Sequence, residues 1–413
     1  MIEYNINMRE EIFGSTLLNL KNGQREYLDK SETKKILEEG MFPTDSCTKE
    51  LKEKPVIKFT KNNNIAENHF SFVDIAYIEI THECNLRCKH CLNNSGIRLP
   101  NQLTDEEIFN LIIEFSKAGM QEIRFTGGEP LVHKRIYDFI SLAHQLGLYT
   151  SIGTNGTLAT KDVSEKLKLA GLNKAVVSVD GTEKAHDAIR GEGNYKKAIE
   201  GIKNLEKKGI KVRINAVIMK SNMEDVIKLA KQLNENHTHL MIRRFIESGR
   251  GSLLTDNTLS KQDYDYVRNQ LKDELKACLN NKVDSKYKTR KIIVDYLNEK
   301  GINIPYFRVI AYTDGKPREA YPFPNTTFSE LYKKGEEEVY LEYRDSLFCK
   351  EIHRKFPVFV IDWREDVKEG KRIVNDIFYL PEFTFEEYDA SAKEVYESTI
   401  KAFEDGDENE FIK

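Results

Sequence analysis

The stretch Ile75–Cys91 reads IAYIEITHECNLRCKHC and joins a strand-like segment to a cluster of cysteines. Its first part, Ile75–Ile80, is short and rich in Ile and Tyr, as strands are. Its second part contains Cys84, Cys88 and Cys91, which are three of only six cysteines in the chain. We therefore expect three thiols in the loop that directly follows a strand.

The segments that follow repeat an alternation of strands and helices. Helical patterns lie between them, and Thr104 with Glu107 predicts a capping box at the start of the first of these helices. Such an alternation predicts parallel strands with right-handed crossovers. A partial or complete barrel fits the pattern best, and an open doubly wound sheet is the alternative. The five further strand candidates are Glu122–Phe125, Tyr149–Ile152, Ala175–Val179, Val212–Ile218 and His239–Phe245.

The remaining sequence predicts a unit on each side of this barrel. Residues 1–72 are expected to form a small α+β unit, because Asn22-Gly23 is a strong hairpin-turn signal. In the same unit, Ser31 is expected to cap a helix. The barrel is assigned to residues 73–251. The regular alternation of strands and helices then ends, and residues 252–413 are assigned to a C-terminal α+β extension.

Composition limits the classes of function that are open. The chain has 413 residues, 31% of them charged, and a net charge of −4, so no general role in binding nucleic acid follows. No apolar run approaches the ~18 residues of a membrane span, and no signal peptide is visible at the N-terminus. We therefore expect a cytoplasmic protein whose cysteines stay reduced, which makes a cysteine cluster metal-binding or catalytic.

Polar or glycine-rich pieces follow or end the later strands of the predicted barrel. Because ligands bind beyond the carboxyl ends of parallel strands, these pieces should gather with the cysteines at one mouth. An acidic side chain there can accept an ammonium group, hydroxyl and carboxylate side chains can bind a sugar, and an arginine can bind a carboxylate. The candidate cofactor-binding residues are Gly127, Gly128, Glu129, Pro130, Asn155, Ser178, Asp180 and Arg190.

The three cysteines leave two kinds of metal site open. Cysteine thiolates in short loops hold iron–sulfur clusters, and three thiolates leave one iron of a four-iron cluster free. A structural zinc site requires four protein ligands, and the chain has no second CxxC pair. His82 or His90 could supply the fourth ligand, so a zinc-stabilised binding protein remains the non-enzyme alternative.

CNLRCKHC, followed by GGEP at Gly127–Pro130, resembles the paired motifs of radical S-adenosylmethionine (radical SAM) enzymes. The resemblance covers roughly residues 73–250 and implies a partial (β/α)6 TIM-like barrel. It implies that Cys84, Cys88 and Cys91 hold one 4Fe-4S cluster, which cleaves S-adenosylmethionine to a 5′-deoxyadenosyl radical. It also implies a flavodoxin or ferredoxin as the electron donor.

Two flanking features bear on the substrate. The segment from Arg243 to Gly251 resembles the barrel end of peptide-modifying and haem-modifying members, and residues 1–72 resemble part of a leader-peptide recognition element. A cap on the barrel is the equally open alternative for residues 1–72. The leading expectation is a precursor peptide as partner, for example for epimerisation or cross-linking. The alternative substrate is a small molecule, such as a sugar, a nucleotide or a tetrapyrrole precursor.

The C-terminal extension departs from the pattern of many relatives. They carry a cysteine-rich SPASM or twitch domain, whereas this extension has only Cys278 and Cys349, so auxiliary clusters are not expected. Without auxiliary clusters, the sequence favours a redox-neutral reaction more strongly. As a lone thiol, Cys349 is a candidate hydrogen-atom donor to a substrate radical, although a small buried hydrophobic residue is the simpler interpretation.

Overall fold

The computed structural model describes most of the first 271 residues. It covers residues 3–271 apart from 12–13, 44–45, 50, 62–74, 99–101, 118, 236–238 and 246–248, and beyond them only 312–313, 316–317 and 358–361. The expectations for Cys278 and Cys349, and for most of the C-terminal extension, lie outside the described residues.

The described residues form thirteen strands and eight α-helices in the following order. The strands are β1 (Ile6–Glu11), β2 (Gly14–Asn19), β3 (Arg25–Asp29), β4 (Ile57–Thr60), β5 (Ile75–Thr81), β6 (Glu122–Gly127), β7 (Tyr149–Thr154), β8 (Lys174–Ser178), β9 (Lys211–Ile218), β10 (His239–Arg244), β11 (Tyr312–Thr313), β12 (Lys316–Pro317) and β13 (Val358–Ile361). The helices are α1 (Lys30–Glu39), α2 (Asp105–Lys117), α3 (Ile136–Gln145), α4 (Lys161–Leu169), α5 (Glu183–Arg190), α6 (Asn194–Lys207), α7 (Met223–Glu235) and α8 (Lys261–Gln270).

Strands β5 to β10 form the predicted parallel sheet, each strand pairing with its neighbour in the chain. All six sequence-based strands are present within a few residues of their expected bounds. A seventh strand, β13, pairs in parallel with the outer edge of β5. The sequence did not indicate that a strand near Val358 extends this sheet.

The helices cover the outside of the parallel sheet, and apolar side chains fill the layer between them. Fully buried members of this core include Ile78 and Phe125 on the strands, and Ile112, Phe115 and Phe139 on the helices. Burial of such side chains is worth about 1.5 to 3 kcal/mol each. This core holds the strand ends in a fixed order, so the loops after them converge.

The N-terminal unit is a four-stranded sheet in the order β3-β2-β1-β4, with α1 packed on it. The hairpin between β2 and β3 is confirmed, and Gly23 takes a positive φ of 71°. The expected cap was wrong. Asp29 rather than Ser31 caps α1, in a capping box with Glu32, because the helix begins two residues earlier than expected.

The N-terminal sheet covers the amino-terminal ends of the barrel strands, away from the cysteine loop. Asn7 donates to the main-chain carbonyls of Met120 and Gly147, at 3.3 Å and 2.8 Å, and Asn173 donates to that of Leu20. Met120, Gly147 and Asn173 lie just before the starts of β6, β7 and β8, respectively. The unit therefore closes one end of the barrel and leaves the carboxyl ends of the strands accessible.

Candidate active site

Cys84, Cys88 and Cys91 lie on the loop after β5 and line one cavity of about 490 Å³ at the carboxyl ends of the strands. Burial raises the pKa of the Cys84 thiol to about 11 and raises that of Cys88 as well. Buried thiols ionise readily only when a cation compensates the charge. The trio is therefore suited to bind a metal centre rather than to act as free thiolates.

Each of the three sulfur atoms has one hydrogen-bond donor. The main-chain N–H of Leu86 donates to Cys84 Sγ at 3.4 Å, and that of Ser95 donates to Cys91 Sγ at the same distance. The Nη1 of Arg190 lies 3.8 Å from Cys88 Sγ. Hydrogen bonds to the ligand sulfurs are one of the ways in which proteins set the potential of iron–sulfur clusters.

Gly127 and Gly128 let the loop after β6 pack directly on the chain that leads to the cysteines. The Gly128 N–H donates to Thr81 O at 2.7 Å, and the Glu129 N–H donates to Glu83 O at 2.8 Å. A Cβ at Gly127 would lie 2.2 Å from Thr81 O, and one at Gly128 would lie 2.2 Å from Glu83 O. The glycines are thus required for contact within the protein, while both also line the cavity.

Glu129 lies behind the cavity wall and is fully buried, and Pro130, also buried, begins the 3-10 turn after it. Its carboxylate accepts from Thr154 Oγ1 and the Asn155 N–H, both at 2.7 Å, and from the Leu131 N–H at 3.1 Å. Burial raises its pKa to about 7 against these three hydrogen bonds. In this arrangement the carboxylate joins the loops after β6 and β7, and the cavity surface beside it is the main chain of the two glycines.

Asn155 lines the cavity and connects its loop to the cysteine loop. Its Nδ2 donates to Asn85 Oδ1 at 2.9 Å, and its Oδ1 accepts from the N–H and hydroxyl of Thr157. Asn85 in turn donates to Thr157 Oγ1 at 2.9 Å. Sequence reasoning missed Asn85 and Thr157, although Asn85 stands next to Cys84 and Thr157 two residues after Asn155.

Asp180 and Arg190 form a buried ion pair behind the cysteine loop. One carboxylate oxygen of Asp180 accepts from Arg190 Nε at 2.5 Å and from His90 Nε2 at 2.8 Å, and the other accepts from the Val217 N–H at 2.8 Å. Although burial opposes ionisation, Arg190 and His90 hold the pKa of Asp180 well below its usual range.

Arg190 lines the cavity, as does Ser178 at the end of β8, whereas Asp180 does not. Asp180 is fully buried with its carboxylate oxygens already occupied, which leaves Ser178 as the member of the predicted sugar-binding pair that faces the cavity.

The segment after β10 holds the cysteine loop from outside. Arg250 Nε donates to Cys88 O at 2.8 Å, its Nη1 donates to Asn94 Oδ1 and Ser95 O, and its N–H donates to Cys91 O. Gly249 makes this approach possible, since a Cβ there would lie 2.5 Å from Cys91 O. The SGRG sequence marked this segment, but only the fold shows that Arg250 positions the loop.

Of the two histidines considered for a zinc site, His82 has both ring nitrogens occupied, whereas the buried His90 Nδ1 has no hydrogen-bond partner among the described residues. Both ring nitrogens of His82 lie 2.9 Å from main-chain carbonyls, and His90 Nε2 is bonded to Asp180. Within the described part of the chain, no group of three or more His, Cys, Asp or Glu side chains could hold a single metal ion. Three thiols without a fourth protein ligand fit a cluster that keeps one iron open.

Comparison with known proteins agrees with this donor set. Residues 78–233 match the Radical SAM superfamily. The chain contains a radical SAM domain. The radical SAM domain spans β5 to α7 and includes the cysteine loop and GGEP. The superfamily and the relatives described next indicate an enzyme.

Curated relatives align with part of the chain. An AdoMet-dependent heme synthase of Nitratidesulfovibrio vulgaris is 32% identical over 201 residues, which are 47% of this chain and 54% of that protein. The mycofactocin maturase MftC of Mycolicibacterium smegmatis is 31% identical over 183 residues, 43% of this chain and 45% of that protein. The chain spans about half the length of the curated relatives that it matches.

A solved structure supports the fold. Streptococcus suis SuiB bound to S-adenosylmethionine superposes with a TM-score of 0.54 at 19% identity, covering 86% of this chain and 90% of that chain. The α/β class with a TIM-like partial barrel is thereby confirmed. Among the described residues, no helix has the length and hydrophobicity that a membrane crossing requires.

Proposed function

We propose that the protein reductively cleaves S-adenosylmethionine and removes a hydrogen atom from a ribosomal peptide during its maturation. The observation that carries this proposal is the set of three cysteines, each with one hydrogen-bond donor, on the wall of the same cavity as the two glycines of GGEP. Cys84, Cys88 and Cys91 would hold one 4Fe-4S cluster. When bound, that cluster supplies the electron that cleaves the sulfonium and releases a 5′-deoxyadenosyl radical.

The chain's own residues have defined tasks in this proposal. The main chain at Gly127 and Gly128 accepts the ammonium group of S-adenosylmethionine, and Ser178 and Asn155 offer hydrogen bonds to its sugar. Arg190 offers its Nη atoms to the carboxylate while Asp180 holds its Nε in place. The sugar contacts that the sequence assigned to Asp180 pass to Ser178, because the Asp180 carboxylate is bonded to Arg190 and His90.

A peptide substrate is supported by the N-terminal unit. Strands β3 and β4 form the edges of its sheet among the described residues, and an extended leader can bind by adding a strand to such an edge. The unit lies at the opposite end of the barrel from the cysteines. A strand of seven residues spans about 23 Å, so a bound leader needs at least about seven extended residues to reach the mouth. The maturase relatives MftC point to the same class of reaction.

A tetrapyrrole precursor is the second candidate substrate. Four of the relatives are named AdoMet-dependent heme synthase or Fe-coproporphyrin III synthase. A small open reading frame beside the gene would favour the peptide, and neighbouring genes of cofactor biosynthesis would favour the tetrapyrrole.

Three further assignments belong to this proposal. The electron donor is a flavodoxin or ferredoxin, and the protein acts in the cytoplasm without auxiliary clusters. The domain bounds remain 1–72, 73–251 and 252–413. Cys349 would return a hydrogen atom to the substrate radical, and normal turnover by Cys349→Ala without radical adducts would exclude that role.

The proposal is tested anaerobically by reconstituting the cluster, adding dithionite and S-adenosylmethionine, and measuring 5′-deoxyadenosine. We expect product from the wild type and none from Cys88→Ala. Cys47→Ala is the matched control, since this thiol is buried against the N-terminal sheet and does not line the cavity. Bound zinc in place of iron would contradict the proposal.

A further inference from the structure

The inner wall of the barrel carries an arginine cluster, consisting of Arg124 on β6, Arg213 on β9 and Arg243 on β10. All three line the cavity that also contains the cysteine side chains. Burial, together with the charges of Arg124 and Arg243, lowers the pKa of Arg213 to about 10 against the opposing effects of Tyr77 and Glu122. The three guanidinium groups are thus close enough to repel one another.

Carboxylates are fewer than arginines on the described cavity wall. Glu122 lies beneath Arg124 and pairs with its Nη2 at 3.1 Å, but the same oxygen also pairs with Lys174 at 3.1 Å. Among the described residues that line the cavity, Glu79 is the one carboxylate, against five arginines. Its Oε1 accepts from Asn93 at 2.7 Å.

Arg213 shows the imbalance most clearly. Its Nε is buried and has no hydrogen-bond partner among the described residues. Arg213 is in register with Val176 on β8, which offers no polar side chain, and with His239 on β10. A buried N–H donor without a partner is costly, and a hydrogen-bonded anion would satisfy it.

A ligand in the cavity can supply the missing anion. Guanidinium groups recognise carboxylates through paired N–H donors, and arginine is the preferred residue for this contact. The cluster lies on the cavity wall deeper in the barrel than the cysteine loop, as Arg124 and Arg213 precede the ends of their strands by several residues. An anion held there would fix one end of a substrate and leave the rest below the cysteines.

We propose that the arginine cluster binds a carboxylate of the substrate and thereby orients the substrate in the cavity. The inference rests on the proposed function in that it takes the cavity as the substrate site. The carboxylate belongs either to a peptide, at its C-terminus or on an acidic side chain, or to the propionates of a tetrapyrrole. The binding chemistry is the same in both cases.

The first test needs no ligand. If Arg213 is kept for binding, Arg213→Met removes an uncompensated charge and raises the midpoint of thermal unfolding of the full-length protein by about 2 to 4 °C. Lys203→Met, on an exposed face of α6, is the matched control and should leave the midpoint within about 1 °C. A lower midpoint in Arg213→Met would assign this arginine a structural ion pair and overturn the proposal.

The second test measures binding to the cluster-reconstituted protein without S-adenosylmethionine or reductant. One arm compares coproporphyrin III with its tetramethyl ester by fluorescence quenching. The other compares a random hexapeptide pool with free C-termini to the same pool amidated, by affinity selection and mass spectrometry. In one of the two arms, the probe with free carboxylates should bind at least about tenfold more tightly than its neutral counterpart. Arg213→Met should abolish that difference in affinity.

The arm that responds identifies the source of the carboxylate. Equal binding of acid and neutral probe in both arms, or an acid preference that survives in Arg213→Met, would overturn the proposal. Because these measurements involve no radical chemistry, a failure to form 5′-deoxyadenosine would leave their result unchanged.

Discussion

Asp180→Asn should be among the most destabilising conservative substitutions in the barrel. The carboxylate is fully buried and bonded to Arg190 at 2.5 Å and His90 at 2.8 Å. Two unit charges about 4 Å apart interact by about 4 kcal/mol at an effective dielectric constant of 20. Replacing the carboxylate leaves Arg190 buried without its counter-ion, and breaking a buried pair in this way costs about 3 to 5 kcal/mol.

The assay is urea unfolding of the cluster-free protein near pH 7, followed by far-UV circular dichroism. The depressed pKa of Asp180 keeps it ionised in the folded state, so its contribution is complete above about pH 5 and is lost as the pH falls toward the folded-state pKa. Asp162→Asn removes an exposed partner of Lys166 and should cost less than about 0.5 kcal/mol. A loss below about 1 kcal/mol for Asp180→Asn would refute the argument.

Three further substitutions test other parts of the site. Glu129→Gln should lower the free energy of unfolding by about 2 kcal/mol, because an amide group cannot accept all three donors, and unchanged urea unfolding would contradict this. Gly127→Ala should prevent full iron incorporation, measured by iron analysis. Gly209→Ala is the control: this glycine has a positive φ but open space around it, so the substitution should lower the free energy of unfolding by only about 1 kcal/mol. Lys58→Met should stabilise the protein at pH 7, because burial lowers the pKa of this lysine to about 8. That gain should shrink by about 2 to 3 kcal/mol between about pH 8 and 10.5, where the lysine loses its proton first in the folded and then in the unfolded state, and a constant difference would contradict the prediction.

The sequence predicted the barrel well, because local patterns determine that part of the fold. The strand at Ile75–Thr81 and the capping box of Thr104 and Glu107 can both be read from short segments. The position of β13 could not be predicted in this way, because its pairing with β5 joins residues almost 300 positions apart, and no local pattern encodes such a contact.

The site was predictable in its motifs but not in its internal contacts. Asp180 follows a strand as a sugar ligand would, and only the fold reveals that His90 and Arg190 occupy its carboxylate. The same limit applies to Arg250, whose partners lie about 160 residues earlier. GGEP was recognised correctly as a special loop, yet the reason for its glycines, close contact with the main chain at Thr81, needed coordinates.

The central claim is that Cys84, Cys88 and Cys91 hold a cluster whose open iron binds S-adenosylmethionine. The most direct measurement is the electron paramagnetic resonance spectrum of the reconstituted, dithionite-reduced protein before and after S-adenosylmethionine is added. We predict about four irons per chain and a spectrum that changes when S-adenosylmethionine is added. A fully loaded cluster whose spectrum does not respond to S-adenosylmethionine would contradict the account.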